Sequence, residues 1–322
     1  MTAEARLALD GDFEIHRGEL IAFCYRMLGS PFEAEDAVQE TLIRAWRAFD
    51  RFEGRSSVRT WLYKIAGNVC FDMLRSRQRR AMPMDLAGPG SVEGPIAAPL
   101  ADRVWVEPMP DALAGIEGTD PADQAVTRDS IRLALVAALQ HLPPRQRAVL
   151  ILRDVLAWKA KEVADLLETS VASVNSALQR ARATLGELGL EESVDKPGPI
   201  PDEELLDRYL AAFEHYDLEA LTDLVAEDAR QSMPPYPLWL QGRDDIFAWW
   251  LGPGSECRGS RLIPTVANGR PAFAQYRPSG PGGRHQPWSI QTMEVRDGRI
   301  VEFTMFIDDG RLFPLFGLPP TV

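Results

Sequence analysis

LPPRQRAVLILRDVLAWKAKEVADLLETSVASVNSALQRARATL, residues Leu142–Leu185, decides how the chain is read. Leu142-Pro143-Pro144 is a sharp break, and proline suits only the first turn of a helix, so a helix carrying Arg145 and Arg147 starts there. A short helix around Lys161–Leu167 follows, then a tight turn at Glu168-Thr169 and a long helix from Ser170. Thr169 or Ser170 can cap that helix by accepting from its first free amides. Along it Val171, Val174, Leu178, Ala181 and Leu185 form a narrow apolar stripe at helical period. The opposite face holds Ala172, Ser173, Ser176, Gln179, Arg180 and Ala183, with Arg182 at the flank. Small residues let a backbone approach a duplex closely, and Gln179 and Arg180 can reach base edges or phosphates. One bidentate base contact discriminates by roughly 1–3 kcal/mol. The spacing fits a helix–turn–helix unit, although an ordinary helical hairpin with a polar face has the same periodicity.

Upstream, Ala34, Ala37/Val38, Thr41/Leu42, Ala45/Trp46 and Phe49 repeat every 3.6 residues. Pro31 stands where a helix start accepts proline, and Glu33, Glu35 and Asp36 suit the positive end of the helix dipole. A second long helix is expected over Ser57–Arg79, with Val58, Leu62, Ile65, Val69 and Met73 as its core face. Trp61, Lys64, Asn68, Phe71 and Arg75 share another face, which Arg77, Arg79 and Arg80 extend. Cations track phosphates, amides read base edges, and aromatic rings accept unstacked bases at about 1–3 kcal/mol each. A solvated basic face with Trp61 and Phe71 tucked into the core is the competing reading.

Charge distribution favours nucleic acid more than the total does. The formal net charge is −12 over 322 residues, yet residues 51–80 hold eight Lys/Arg against two Asp/Glu, and residues 131–190 hold eight against five. Screening confines charge to roughly 8–10 Å, so local patches decide the partner. Between the islands, residues 82–120 contain six prolines, five glycines and seven acidic groups against one basic group. Without periodicity, that stretch is expected to be a flexible acidic linker. No apolar run approaches a membrane span, and the acidic start MTAEARLALDGDFE lacks the features of a secretory signal. Cys24, Cys70 and Cys257 are too few and too far apart for a disulfide framework or structural zinc, which fits buried thiols in the cytoplasm.

After the spacer EESVDKPGPIP (Glu191–Pro201) the pattern changes. Leu205, Leu206, Tyr209, Leu210 and Phe213 make an amphipathic helix, and Asn268-Gly269 and Asp297-Gly298 are hairpin turns. Val301, Phe303, Met305 and Ile307 alternate with Glu302, Thr304 and Phe306, as in a strand with one buried face. A helix-backed, curved antiparallel sheet is expected.

Together these segments resemble the extracytoplasmic-function sigma factors of the sigma-70 family. SPFEAEDAVQETLIRAWRAFDRFEG (Ser30–Gly54) resembles the segment that docks on the polymerase clamp. RSSVRTWLYKIAGNVCFDMLRSRQRR (Arg55–Arg80) resembles the segment that melts and reads the −10 element, and Leu142–Leu185 the unit that reads the −35 element. The resemblance implies core RNA polymerase and promoter DNA as partners. It points to Glu35, Asp36, Gln39 and Glu40 for polymerase. For the −10 element it points to Lys64, Asn68, Asp72, Arg75 and Arg79, joined by Trp61, and for the −35 element to Ser173, Ser176, Gln179, Arg180 and Arg182. Two features depart from the family: Glu168 where glycine is common, and LAWKAK (Leu156–Lys161), which lacks the usual acidic pair.

Residues 202–320 resemble a SnoaL-like domain of the nuclear transport factor 2 superfamily, a cone whose mouth often holds a small molecule. The implied pocket residues are Tyr209, Trp239, Trp249, His285, Trp288 and Asp308. The expected architecture is therefore multidomain. Two all-α sigma domains (10–81 and 121–190, the second a helix–turn–helix) flank the linker 82–120, and an α+β cone (202–320) follows. No cofactor, metal or membrane is expected, and no acid/base pair argues for an enzyme. A small ligand in the last domain is open, as are two other readings: a ligand-responsive DNA-binding regulator independent of polymerase, and an isomerase-like enzyme fused to a DNA-binding segment.

Overall fold

The computed structural model describes residues 13–54, 56–75, 79–94, 96–101, 104–115, 128–190, 200–308 and 310–322. Arg77, part of linker 82–120, the start of the 121–190 domain and most of the spacer lie outside them. The described residues form two compact units: one runs to Arg80 and resumes from Asp111 to Leu190, and the other joins Ala81–Pro110 to residues 200–322.

The first unit is helical. Helix α1 (Arg17–Leu28) ends at Gly29, whose φ of 74° lets the chain reverse. Helix α2 (Pro31–Ala48) starts at Pro31 with the Ser30 hydroxyl accepting from the Glu33 amide, and buries Ala34, Ala37, Val38, Thr41 and Ala45. Helix α3 (Val58–Leu74) is capped by Ser57 and stops short of the expected Arg79. Its core face is rotated from expectation. Leu62 and Val69 are buried with Tyr63, Ala66 and Cys70, while Val58, Ile65 and Met73 are only half-buried. The cause is packing from two sides, by α1 and α2 and by the later helices α5 (Pro144–Leu150) and α6 (Ala160–Leu166).

Helix α4 (Leu133–Gln140) precedes α5, which continues into a π-helical turn over Ile151–Val155. Helix α7 (Val171–Glu187) is capped by Ser170, whose hydroxyl accepts from the Ser173 amide at 3.1 Å. Its buried stripe is Val174, Ala177, Ala181 and Leu185. Val171 is exposed instead, because the first position of the helix has no neighbour to cover it. Glu168 adopts φ 52°, the left-handed turn that explains why glycine is common there.

The second unit is α+β. Helices α8 (Glu203–His215) and α9 (Leu218–Leu224) and helix α10 (Arg243–Leu251) back a six-stranded sheet. Its strands are β1 (Val225–Ser232), β2 (Trp239–Gln241), β3 (Arg261–Ala267), β4 (Arg270–Arg277), β5 (Gln286–Arg296) and β6 (Arg299–Ile307), in the order β2-β1-β6-β5-β4-β3. The β1–β6 pair is parallel, so the sheet is mixed and not wholly antiparallel. Asn268-Gly269 and Asp297-Gly298 are the hairpin turns, with positive φ at all four residues. Aromatic rings of Tyr209, Phe213, Trp250, Phe273 and Phe303 fill the space between helices and sheet.

Strand β6 is buried on both faces, contrary to the one-faced expectation: Phe303 and Met305 on one side, Thr304 and Phe306 on the other. The second face meets the connector. The described residues of 81–110 are not a free tether but a strap laid on the sheet. Gly90 donates its amide to Trp239 O (2.8 Å), Leu100 to Pro235 O (2.9 Å), and Asn268 to Met109 O (2.8 Å), while Met109 N–H meets Asn268 Oδ1 at 3.0 Å. Trp105, Glu107 and Pro108 adjoin Phe306 and helix α11 (Leu312–Leu315). Glycines and prolines make regular structure costly here, but they leave backbone groups available for bonds to distant partners.

Candidate nucleic-acid interface

The outward face of α7 is as expected: Ala172, Ser173, Ser176, Gln179, Arg180, Arg182 and Ala183 are all exposed. Gln179 and Arg180 make no hydrogen bond or ion pair among the described residues, so both head groups are available to a ligand. Arg182 is held by Asp154 through two hydrogen bonds, at 3.0 and 2.9 Å, which aims its guanidinium along the flank of the helix. A cap at Ser170, small residues at the helix start and an unpaired Gln–Arg pair one turn on make a surface that can lie against a nucleic-acid groove.

The −10 candidates divide. Asn68 is exposed and unpaired among the described residues. Asp72 and Arg75 are exposed but ion-paired to each other (3.3 Å), and Asp72 also meets Arg44 (3.3 Å). Arg79 is exposed, with its guanidinium 2.7 Å from His141 Nδ1. Trp61 is half-buried in a ring cluster, 4.8 Å from Phe52 and near Phe13 and Phe49, so it is structural on at least one face. Lys64 reaches across to Glu168 at 2.7 Å. That hydrogen bond and charge hold the Glu168 carboxyl below its ordinary range.

Two arginines counted as surface charge are not. Arg80 is buried against Glu33 at 2.9 Å. Arg147 is 3% exposed, and donates to Met27 O, to Gln140 Oε1 (2.6 Å) and O (3.1 Å), and to Leu142 O (3.1 Å). Burial lowers its pKa. It therefore ties the end of α1 to the α4–α5 corner. Trp158, in the divergent LAWKAK segment, packs on Tyr63 (5.1 Å) with Arg59 over both rings. Periodicity cannot find these contacts, because a buried cation and a loop tryptophan carry no repeat.

On α2, Asp36 and Gln39 are exposed, Glu35 is half-buried, and Glu40 pairs with Arg44 at 2.7 Å. Ile43 and Trp46 stand exposed on the same helix, giving it an acidic and apolar outer surface.

In the second unit a cavity of about 200 Å³ opens between the helices and the sheet. Of the expected pocket residues, Trp249 and Trp288 line it. The others are occupied elsewhere. Tyr209 is fully buried and donates to Gln291 Oε1 (2.9 Å), and Trp239 donates to Ala87 O (2.8 Å). His285 Nε2 lies 2.8 Å from Gly259 O, and Asp308 accepts from the Gly310 and Leu312 amides, closing the turn before α11. Gln231, Arg277 and Glu256, which sequence patterning does not single out, are polar groups in the lining. Among the described residues no cluster of His, Cys, Asp and Glu could hold a metal ion, and no helix is long and apolar enough to cross a membrane.

Known proteins share these modules. The sigma-70 region 2 family matches residues 13–80, the sigma-70 region 4 family residues 132–185, and the SnoaL-like domain family residues 206–303. The chain is 44% identical over 323 aligned residues to the ECF RNA polymerase sigma factor SigG of Mycobacterium tuberculosis, covering 97% of this chain and 85% of that protein. The chain belongs to the ECF RNA polymerase sigma factors. The ECF sigma factor SigJ of the same organism is 27% identical over 90% of this chain and 88% of its own. The crystal structure of SigJ matches with a TM-score of 0.61 over 96% of this chain and 99% of that one; at 23% identity the likeness concerns the fold. This sigma factor thus carries a SnoaL-like domain behind its two sigma regions, and LAWKAK and Glu168 lie inside the matched region 4.

Proposed function

We propose that this sigma factor directs core RNA polymerase to promoters through three surfaces of its helical unit, and that its C-terminal unit is regulatory, not catalytic. In this reading α2 presents Glu35, Asp36, Gln39 and Glu40 to polymerase. Lys64, Asn68, Asp72, Arg75 and Arg79 track and read the −10 element, with Trp61 supporting them. Ser173, Ser176, Gln179, Arg180 and Arg182 of α7 read the −35 element. The observation that carries the proposal is the α7 face, exposed along its length with Gln179 and Arg180 unpaired. Opening ten base pairs costs on the order of 14 kcal/mol at a mean stacking term of about 1.4 per step. Two small cationic patches do not meet that alone, so polymerase is a required partner, and the cytosol is where it is met.

The helical unit described above is a closed form. Elements 35 and 10 base pairs upstream lie about 85 Å apart along B-form DNA at about 3.4 Å per pair. Lys64 and Glu168 hold the two reading surfaces within one ion pair. Promoter engagement then requires α3 and α7 to separate, which makes the Lys64–Glu168 and Arg147 contacts part of the transition. Purified chain mixed with core polymerase and run-off templates tests this. Co-elution and new start sites are expected, and a chain that neither binds polymerase nor changes start-site choice refutes it. Removing residues 202–322 changes promoter output if the C-terminal unit is regulatory, and leaves it unchanged if it is not.

A further inference from the structure

Of the two arginines on the outer face of α7, Arg180 is unpaired among the described residues and Arg182 is held. Arg182 Nε donates to Asp154 Oδ2 at 3.0 Å and its Nη2 to Oδ1 at 2.9 Å, so the carboxylate grips the guanidinium side-on. Two parallel bonds fix the plane of the group as well as its position. The seat is itself fixed. Asp154 stands on the π-helical turn Ile151–Val155, outside the helix–turn–helix. Its side chain is 23% exposed, against 63% for Arg182, so the anchor is covered and the cation is not. Arg153 beside it donates to Trp158 O, which ties the turn to the segment before α6. Single π-helical turns inside helices frequently mark functional sites, because the extra residue re-aims a side chain.

The other edge of the guanidinium is open. The grip takes Nε–H and one proton of Nη2; Nη1 and the second Nη2 proton have no partner among the described residues. That end-on edge matches two oxygens of one phosphate. Charge balance matters as much as direction. Paired with Asp154, Arg182 adds no net charge to the flank of α7, so it draws a distant polyanion little. An unheld arginine is drawn to any phosphate and gives up its rotamer freedom there. A held one meets a phosphate only when α7 lies at one depth and angle in the groove. The same pose decides which base edges Gln179 and Arg180 reach.

We propose that Asp154 is a positioning residue for promoter recognition: it presents the open edge of Arg182 to one backbone phosphate beside the −35 element, and so sets the register in which α7 reads the bases. This rests on the reading of the −35 element by α7, and the test separates the two. Asp154 touches no DNA itself. It exchanges indiscriminate attraction for a contact available in one pose.

The test uses holoenzyme assembled from the full chain and core polymerase. Its probes are a start-site fragment returned by the run-off assay and the same fragment scrambled at the −35 position. Fluorescence anisotropy measures binding of each over a series of salt concentrations. Asp154→Asn keeps the size of the side chain but lets Arg182 move as a net cation. The preference for the intact −35 element should fall about tenfold, which is less than the full rotamer freedom of an unheld arginine. On the scrambled fragment the log–log salt dependence should steepen by about one, for one more free cation at the phosphates. Arg182→Lys should lose the same preference, since an ammonium has no second edge with which to hold carboxylate and phosphate together. A lower unfolding midpoint with wild-type preference and salt dependence makes the pair a structural brace and overturns the proposal. A fall in preference with an unchanged salt slope overturns it too, because the released charge is then not at the phosphates. Gln179→Ala isolates the premise. Preference lost in that variant but kept in Asp154→Asn overturns the role of Asp154 alone; preference kept in both, or a holoenzyme that returns no start-site fragment, overturns the α7 reading with it.

Discussion

Replacing Arg147 by methionine removes the guanidinium that joins α1 to the α4–α5 corner while keeping most of the volume. Four acceptors lose their donor at once: Met27 O, Gln140 O, Gln140 Oε1 and Leu142 O. A bond from a charged donor contributes about 1.5–3 kcal/mol when broken singly. Against that, the variant no longer buries a cation, which relieves several kcal/mol of desolvation. The acceptors at the helix ends also partly rehydrate. The net expected loss is about 3 kcal/mol, the range found when one partner is cut from a buried charged network. Urea unfolding followed by a probe in the helical unit reads it directly; at a slope of about 2–3 kcal/mol per molar, the midpoint falls by about 1–1.5 M. Gln140→Leu supplies the cycle, because its effect should shrink by at least about 1 kcal/mol in the Arg147→Met background. A midpoint unmoved by Arg147→Met, or additive effects of the two substitutions, refutes the idea that this arginine ties the corner together.

Glu168→Gly relieves the left-handed backbone at φ 52° but gives up an exposed ion pair with Lys64, so a higher unfolding temperature is expected, and a lower one contradicts it. Because Lys64 lowers the Glu168 pKa, the pair's contribution is present above the ordinary glutamate pKa and is lost as pH falls through the lowered one; Glu168→Gln should remove that acid-side dependence. Ser170→Ala deletes the cap of α7 and should cost about 1 kcal/mol in chemical unfolding, with no effect marking the cap as dispensable. Gln179→Ala and Arg180→Ala should each lower run-off transcription about tenfold, the equivalent of about 1.4 kcal/mol, without shifting the unfolding midpoint; unchanged output removes both from the reading surface.

The helix start at Pro31, a cap at Thr169 or Ser170 and the hairpin turns at Asn268-Gly269 and Asp297-Gly298 were legible because each is settled by residues a few positions apart. The α7 face was legible for the same reason, since polar positions on a helix exposed on one side need only a period. The core face of α3 was not, because helices from two directions cover it and the stripe widened to Tyr63 and Cys70. Two of the six expected pocket residues, Trp249 and Trp288, line the cavity; aromatic residues mark a core as readily as a cavity, so Tyr209 and Trp239, whose polar atoms bond elsewhere, were expected with them.

Sequence alone determined the order of modules, their helical or mixed character and the two cationic islands, since propensity, periodicity and charge are properties of neighbours along the chain. Only the tertiary structure decided that the proline-rich connector lies on the C-terminal sheet, that Arg147 is buried, and that Lys64 meets Glu168. Each of those depends on groups as much as a hundred residues or more apart, such as Gly90 with Trp239 or Arg147 with Met27. No local pattern encodes which distant carbonyl a buried donor will meet; that is settled when the chain closes and every buried polar group must find a partner.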